Sequence, residues 1–265
     1  MSTLKITHHA GFFSCCSVKL EQLIIFFNKH KKLPRKVDGS NLFSLYKKQL
    51  HKTKMYSKTN QDDITFNYFE HYDNIKNTFI YKKDIDYKNE YQFKSYSSLD
   101  YENISPFVKK YFSPSIKVNK IIQYIEQKYN LEDYNNLCVI FYRGNDKSTE
   151  TNVSDYDLYI EKAKVIMREN ENIRFLIQSD ETEFIEKLIS TFPNNSFYCK
   201  DEIRHMKKSL STVDYVMRDT NHIFSFCFLA ITIIMSKCKY IICGSGNCSI
   251  WIMLYRGHNN NVYQL

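Results

Sequence analysis

The chain has 265 residues, of which 43% are hydrophobic and 25% are charged, so it can form one large domain or two small ones around a real core. Six glycines and four prolines are too few for a fibrous or linker-rich protein, and the composition is not that of a disordered chain. The formal net charge of +8 suits an anionic ligand such as a nucleotide but does not require nucleic acid.

The amino-acid composition indicates the type of genome that encodes the protein and the cellular compartment in which it folds. Lys, Asn, Ile, Tyr and Phe abound and Ala is nearly absent, as expected for an AT-rich genome such as that of a low-GC protist or a large DNA virus. Eight cysteines without a C-x-x-C pair predict buried free thiols in a reducing compartment. The N-terminal segment lacks the apolar stretch of a secretory signal, and the longest mostly apolar run, residues 223–235, is shorter than the roughly 20 residues of a membrane span. We therefore expect a cytoplasmic protein with no membrane span, in which this run is a buried core helix.

The first part of the chain predicts a short α/β pattern, with a strand at 4–7, a turn at 11–14, a helix at 18–27 and a second strand reached through 33–37. The stretch from about 45 to 115 is rich in Tyr, Lys, Asn and Asp. Its hydrophobic periodicity is too weak to predict a helix or a strand there. We place a domain boundary between residues 112 and 120. Residues 1–115 then form an N-terminal α/β domain, and residues 116–265 form a C-terminal domain.

From residue 137 onward, short apolar runs alternate with helical patterns. Strands are predicted at 137–142, 173–177, 196–199, 240–243 and 261–264, and helices from 154, around 184–189, at 222–236 and at 248–255. Ser154 and Asp157 have capping-box spacing and would start the first of these helices. Because strands that alternate with helices form parallel sheets, we predict an α/β fold of two Rossmann-like domains facing each other across a cleft. The C-terminal half is the more regular, doubly wound one.

Polar residues collect where these strands end, which is where an open parallel sheet binds its ligands. They are Arg143, Asp146, Lys147 and Glu150 after the first strand, Asp180 and Glu181 after the second, and Gly244, Ser245, Gly246, Asn247 and Ser249 after the fourth. Each group also has a purely structural interpretation: solvated loop charges, an aspartate that caps a helix, and a strand-to-helix turn. The Gly-Ser-Gly turn could present backbone N–H groups to a phosphate. It is not a G-x-G-x-x-G motif, so an NAD site is disfavoured, and the chain has no P-loop motif.

Four segments carry a resemblance to a known family. Residues 141–150, FYRGNDKSTE, resemble the R-x-x-D-K signature of the α-1,6-fucosyltransferase-like glycosyltransferases. Residues 243–249, CGSGNCS, resemble the later turn of that family, and residues 177–181, IQSDE, resemble its acidic pair. Residues 11–14, GFFS, are similar to the first turn of GT-B glycosyltransferases. The resemblance implies a metal-independent, inverting GT-B enzyme. Its C-terminal domain would hold a nucleotide sugar, most simply GDP-fucose, and its N-terminal domain a glycan acceptor.

The resemblance also implies residue roles. Arg143 and Lys147 would bind the donor diphosphate, which agrees with the affinity of a planar guanidinium for phosphate oxygens. Glu150 would be the general base, and Asp146 would orient Arg143 or Lys147. The remaining donor-side candidates are Asp180, Glu181, Gly244, Ser245, Gly246, Asn247, Ser249 and His222, and the acceptor-side candidates are His8, His9 and Gly11.

We expect no metal and no cofactor besides the donor. The chain has no His/Cys cluster with metal-ligand spacing, and its two D-x-D patterns, at Asp84/Asp86 and Asp155/Asp157, are interpreted as chance in a chain this rich in Asp. Two other hypotheses stay open. One is a catalytically silent nucleotide- or sugar-binding Rossmann-like protein. The other is a basic nucleic-acid-associated α/β protein that uses the run from His30 to Lys36, although the sequence shows no nucleic-acid-binding motif.

Overall fold

The computed structural model describes residues 3–48, 62–76 and 84–265. It begins with a parallel βαβ unit made of β1 (Thr3–Thr7), α1 (Phe12–His30) and β2 (Lys36–Asn41). The two strands pair from Thr3 opposite Lys36, and the register shifts between Lys5 and Thr7. The predicted strand–helix–strand order is confirmed, but α1 begins six residues before the predicted helix. Its first turn carries Phe12 and Phe13, which are buried.

The middle of the chain contains short helical elements instead of a regular pattern. They are α2 (Thr65–Tyr68), α3 (Tyr101–Phe112), α4 (Ile116–Tyr129) and five 3₁₀ helices at Ser44–Tyr46, Tyr72–Asn74, Asn89–Phe93, Tyr96–Ser98 and Tyr134–Asn136. Part of the unassigned stretch, residues 49–61 and 77–83, lies outside the described residues. The helix α4 was not predicted. Ser115 caps it by accepting a hydrogen bond from the N–H of Val118, and Val118, Ile122 and Ile125 form its buried stripe.

The C-terminal part forms a five-stranded sheet in which every pair is parallel. Its strands are β3 (Leu137–Tyr142), β4 (Arg174–Ser179), β5 (Ser196–Phe197), β6 (Tyr240–Cys243) and β7 (Val262–Gln264). The connecting helices are α5 (Tyr156–Glu169), α6 (Thr182–Thr191), α7 (Val213–Val216), α8 (Asn221–Lys237) and α9 (Asn247–Arg256), with 3₁₀ helices at Asp146–Thr149 and Arg218–Thr220. The α/β class with parallel sheets, predicted from the alternating pattern, is confirmed.

The strand order positions a site. Across the sheet the order is β5-β4-β3-β6-β7. The chain therefore adds β4 and β5 on one side of β3, and then β6 and β7 on the other side. An open parallel sheet with this order has a crevice between β3 and β6, outside their carboxyl ends, because the connections leave in opposite directions there. The segments that follow these two strands begin with Arg143 and Gly244.

One local prediction was wrong, and one structural alternative is not observed. The residue that caps α5 is Asp155 and not Ser154, and no side chain makes the capping hydrogen bond, so the Ser154–Asp157 capping box does not form. Asp180 was considered as the residue that caps α6, but the N-cap residue of that helix is Glu181.

The core runs through both parts of the chain. Helix α1 packs against α9, where the indole Nε1 of Trp251 donates a hydrogen bond to Ser17 Oγ at 2.9 Å and the ring of Phe13 stacks at 6.2 Å. All eight cysteines are free, and all but Cys227 are buried. Among the described residues, one segment, Arg218–Lys237, is long and apolar enough to cross a membrane by length and composition alone, and most of it is buried inside the protein.

One lysine lies inside this core. Lys19 on α1 is 2% exposed, and its ammonium group lies 5.0 Å from the centre of the Phe112 ring and 5.7 Å from that of Phe69. Burial lowers the pKa of Lys19 to about 8, although Cys16 and Asp63 act in the opposite direction. Two aromatic faces compensate only part of the hydration that a buried ammonium loses.

We expect Lys19→Met to raise the free energy of unfolding at pH 7 by on the order of 2 kcal/mol, because the variant buries no charge. Between pH 8 and 10.5 the unfolded chain holds a proton that folded Lys19 has lost, so the wild type gains stability from this group as the pH rises. The advantage of the variant should therefore shrink from pH 7 to pH 10. Urea unfolding at both pH values measures it, with Lys29→Met, exposed on the same helix, as the control. An advantage independent of pH would contradict this interpretation of Lys19.

Candidate functional site

A cavity of about 480 Å³ lies at the carboxyl ends of β3 and β6. Its lining includes nine of the residues predicted from the sequence: Gly11, Arg143, Asp146, Lys147, Glu150, Asp180, Gly246, Asn247 and Ser249. They come from three separate stretches after strands and from the first turn of the βαβ unit. The predicted convergence at the ends of the strands is therefore observed.

Arg143 is held by two carboxylates. Its Nε donates to Asp180 Oδ2 at 2.8 Å, and its Nη2 donates to Asp146 Oδ1 at 2.9 Å. Burial opposes the guanidinium charge, but Asp180 and Asp146 outweigh it and raise the pKa of Arg143 above its ordinary value. Asp180 also accepts from the backbone N–H of Gly144 at 3.1 Å. Arg143 is thus permanently charged and fixed in direction, and no hydrogen bond of its Nη1 to a described residue is seen.

Lys147 lies opposite the turn after β6. Its ammonium forms an ion pair with Glu150, and it lies 5.4 Å from the centre of the Phe93 ring. The Lys147 side chain is 10% exposed, whereas that of Glu150 is 45% exposed. A methyl group placed on Gly246 would lie 3.4 Å from Lys147 Cε, so the lysine chain passes close to the start of α9.

The start of α9 is built by a glycine. Gly246 has φ 147° and ψ 171°, a conformation that residues with a side chain rarely adopt. Its N–H donates to Gln92 O at 3.0 Å and to Tyr96 Oη at 3.1 Å. The N–H groups of the first helical turn, from Asn247 onward, have no partner inside the helix. They lie at the positive end of its dipole, beside Lys147.

Six predicted residues lie outside the cavity lining: Glu181, Gly244, Ser245, His222, His8 and His9. Glu181 accepts from the hydroxyl of Tyr156 and lines a second cavity of about 430 Å³. Burial raises the pKa of Glu181, and Asp180 adds to the effect. His222 lines a third cavity of about 730 Å³. Its predicted place in the donor site is not observed, although Phe224 of the same helix lines that cavity, because residues two apart on a helix lie on nearly opposite faces.

The two other donor-side residues have structural contacts. Ser245 Oγ lies 2.9 Å from Gln264 Nε2, which donates to it. Gly244 lies against the Tyr159 hydroxyl, 2.9 Å from where a methyl group on the glycine would be. Both residues belong to the turn that carries Gly246 without themselves reaching the cavity.

The histidine pair predicted for the acceptor side lies at the rim. His8 Nε2 is 2.8 Å from Ser14 Oγ, and Ser14 lines the cavity. Burial lowers the pKa of His8, and the neighbouring His9 lowers it further, so His8 stays neutral to a lower pH than an ordinary histidine. His9 Nδ1 lies 3.2 Å from Ser44 Oγ in an exposed position. Only His8 is therefore linked to the cavity, through Ser14.

Sequence reasoning missed several lining residues. Arg204 donates from Nη2 to Asp214 Oδ1 at 2.7 Å, and the hydroxyl of Tyr46 donates to the other oxygen of Asp214. Glu202 is paired with Lys128 at 2.6 Å. These residues stand in irregular segments, where no periodic pattern indicated that they would meet. Gln178 did carry a signal, because it is a polar residue near the carboxyl end of β4, directly after an apolar run.

The charges of the cavity are nearly all paired. The described lining has three cations, Arg143, Lys147 and Arg204, and five carboxylates, Asp146, Glu150, Asp180, Glu202 and Asp214. Each cation contacts at least one of these carboxylates. An anion would therefore bind by competing for donors that already have carboxylate partners, and Lys147, whose partner is the most exposed, is the easiest to recruit.

The predicted D-x-D patterns do not join this cavity. Asp84 pairs with Lys31, Asp86 accepts from the Tyr91 hydroxyl at 2.5 Å, and Asp157 pairs with Lys187 at 2.6 Å. Within residues 3–48, 62–76 and 84–265, no group of three or more His, Cys, Asp or Glu side chains is placed to hold a metal ion.

Comparison with known proteins finds no protein-family model and no curated protein sequence that matches this chain. The resemblance of the four segments to fucosyltransferase-like enzymes therefore stays a prediction.

We expect Gly246→Ala to lower the free energy of unfolding by about 1–3 kcal/mol, because an L side chain is strained at this φ. Gly11→Ala is the matched control. Gly11 has φ −57°, and a methyl group there would meet only the Tyr46 hydroxyl, at 3.9 Å. Denaturant unfolding of both variants measures the difference, and equal stabilities would contradict the assigned role of Gly246.

Proposed function

We propose that this protein is a glycosyltransferase that binds a nucleoside-diphosphate sugar in the cavity between β3 and β6 and transfers the sugar to a glycan acceptor with inversion. The observation that carries the proposal is the convergence of Arg143, Lys147 and the start of α9 at the crevice of a sheet with this strand order. A guanidinium, an ammonium and free backbone N–H groups are the donors that hold a diphosphate as it leaves.

The proposal extends to the fold. The C-terminal sheet is the nucleotide-binding half of a GT-B arrangement, and the N-terminal βαβ unit forms the acceptor side. In support, the turn at Gly11 and the side chain of Ser14 line the same cavity as Arg143. GDP-fucose is the proposed donor, on the resemblance of residues 141–150 and 243–249.

The chemistry follows from the Lys147–Glu150 ion pair. Without ligand the two groups neutralise each other. A bound diphosphate draws the ammonium to its own oxygens, which leaves the Glu150 carboxylate free. The acceptor hydroxyl then attacks the anomeric carbon, its proton passes to Glu150, and the bond from the anomeric carbon to the diphosphate oxygen breaks. The diphosphate leaves with the electron pair and is stabilised by Arg143 and Lys147.

A silent nucleotide- or sugar-binding protein is the second candidate. The observation that favours it is the pairing of every carboxylate in the described lining with a cation or a hydroxyl group. A binder needs no free base, whereas the transferase needs Glu150 to be released.

We expect one nucleoside diphosphate to raise the melting temperature by on the order of 5 °C at a hundred times its Kd. The panel is GDP, UDP, ADP, CMP and GDP-fucose, in the presence of EDTA. Arg143→Lys keeps the positive charge but loses the planar guanidinium, which can bind two carboxylates and a phosphate at once. The variant should therefore lose most of the rise in melting temperature. GDP and GDP-fucose are expected to give the largest shifts. A larger shift with another diphosphate would replace the proposed sugar, and no shift with any of them would overturn the donor site and direct the test to nucleic acid.

We expect Glu150→Gln to bind the nucleoside diphosphate several-fold more tightly than the wild type, because Lys147 loses its competing partner. The same variant should release nucleoside diphosphate from the sugar donor, with water as the acceptor, about 100-fold more slowly. Isothermal titration and a diphosphate-release assay measure the two effects, with the exposed Glu171→Gln as the control. Tighter binding with no donor cleavage by the wild type, even with glycan acceptors supplied, would favour the silent binder.

A further inference from the structure

Three amide side chains in the cavity have an oxygen that is buried and without a hydrogen-bond partner among the described residues. They are Gln92 and Gln178, which are 7% and 4% exposed, and the partly buried Asn247. Of the four amide side chains in this condition within the described chain, only Asn89 lies outside the lining of the cavity. Unpartnered amide groups are therefore concentrated at one place.

The three residues come from three separate elements. Gln178 is in β4, in register with Phe141 of β3. Asn247 is the first residue of α9, and Gln92 lies in the 3₁₀ helix Asn89–Phe93, whose backbone accepts the N–H of Gly246. None of the three positions follows from the others by sequence spacing, and what the three residues share is the cavity that they line.

An unpartnered buried amide oxygen costs free energy, since the group has lost water and gained nothing in return. A ligand that supplies the missing partner is one reason for a protein to retain such groups in a cavity. Amide oxygens accept hydrogen bonds from hydroxyl groups, and they add no charge. Their neighbours in the lining include the apolar rings of Phe93, Phe141 and Phe228. Neutral acceptors beside apolar rings match a ring that carries several hydroxyl groups, whereas Arg143 and Lys147 match the phosphates.

We propose that Gln178, Asn247 and Gln92 form the subsite for the glycosyl group of the donor, accepting hydrogen bonds from its ring hydroxyls. This inference rests on the proposed function and adds the part of the ligand that these residues recognise. Gln178 carries the inference furthest, because it is the most buried of the three and its amide makes no hydrogen bond to a described residue.

The test compares each nucleoside diphosphate with its sugar conjugate: GDP with GDP-fucose, UDP with UDP-galactose, and ADP with ADP-glucose. For the pair that binds the wild type, Gln178→Met should raise the Kd of the sugar conjugate about 5- to 10-fold and leave the Kd of the nucleoside diphosphate unchanged within twofold. Methionine has nearly the shape of glutamine without its polar atoms. The melting temperature of the ligand-free variant should stay the same or rise, because an unsatisfied group has been removed.

The control is Gln264→Met. The amide of Gln264 is fully used: its Oε1 accepts from the N–H of Tyr96 at 2.9 Å, and its Nε2 donates to Lys94 O and to Ser245 Oγ. This substitution should lower the melting temperature and change the Kd values of both ligands by the same factor. Gln92→Met, in a different element of the lining, repeats the test should Gln178→Met not fold.

The outcomes separate the two proposals. Equal weakening of both ligands by Gln178→Met and Gln92→Met, or no change in either, overturns the glycosyl subsite and leaves the nucleotide site standing. A lower melting temperature with unchanged binding assigns the amides a structural role and also overturns it. No binding of any pair by the wild type overturns the proposed function itself, and the subsite with it.

Discussion

The arrangement of the cavity depends on the carboxylate of Asp180. It accepts from Arg143 Nε and from the N–H of Gly144, and the backbone oxygen of the same residue accepts from Asn145 Nδ2 and from the N–H of Met206. Three consecutive residues after β3 are thereby tied to the residue after β4. This brings the loop that carries Asp146 and Lys147 into a fixed position relative to the sheet. A neutral or shorter side chain at this position would leave a partly buried guanidinium without its main partner, which costs more than the surface pairs elsewhere in the molecule contribute.

The sequence allowed the C-terminal sheet to be predicted almost strand for strand, because fully buried parallel strands such as β3 are short apolar runs between polar loops. It also placed Arg143, Lys147 and Asn247 at one edge, since parallel strands end on the same side. It could not place Arg204 and Asp214, which meet through an irregular segment with no periodicity. His222 lies on the face of α8 turned away from that of Phe224, and the sequence does not show which face of a helix with apolar residues all round meets the cavity. The helix α4 could have been found from Ser115 and the spacing of its buried residues.

The cavity combines two kinds of polar group that make different demands on a ligand. Each cation has a carboxylate partner, so the ligand-free protein leaves no positive charge unpaired at this place. The amides are unmatched, so they keep a free-energy cost that a ligand can remove. A ligand that joined a phosphate part to a hydroxyl-bearing part would address both, and either part alone would address one of them. This division gives the proposed site a way to distinguish a sugar donor from the nucleotide that remains after transfer.

The walls of the cavity are also joined across the chain. The N–H of Gly246 donates to Gln92 O. The amide of Gln264 accepts from the N–H of Tyr96 and donates to Lys94 O, and the hydroxyl of Tyr46 donates to Asp214. Two parts of a chain connected at several such points cannot separate widely without breaking these hydrogen bonds together. Exchange of a ligand then requires local movement of the rim segments, not a hinge opening of the whole molecule. For such a site the residence time of a bound product would depend on the lifetime of a few rim hydrogen bonds, and the overall dimensions of the protein in solution would be nearly the same in its empty and occupied states.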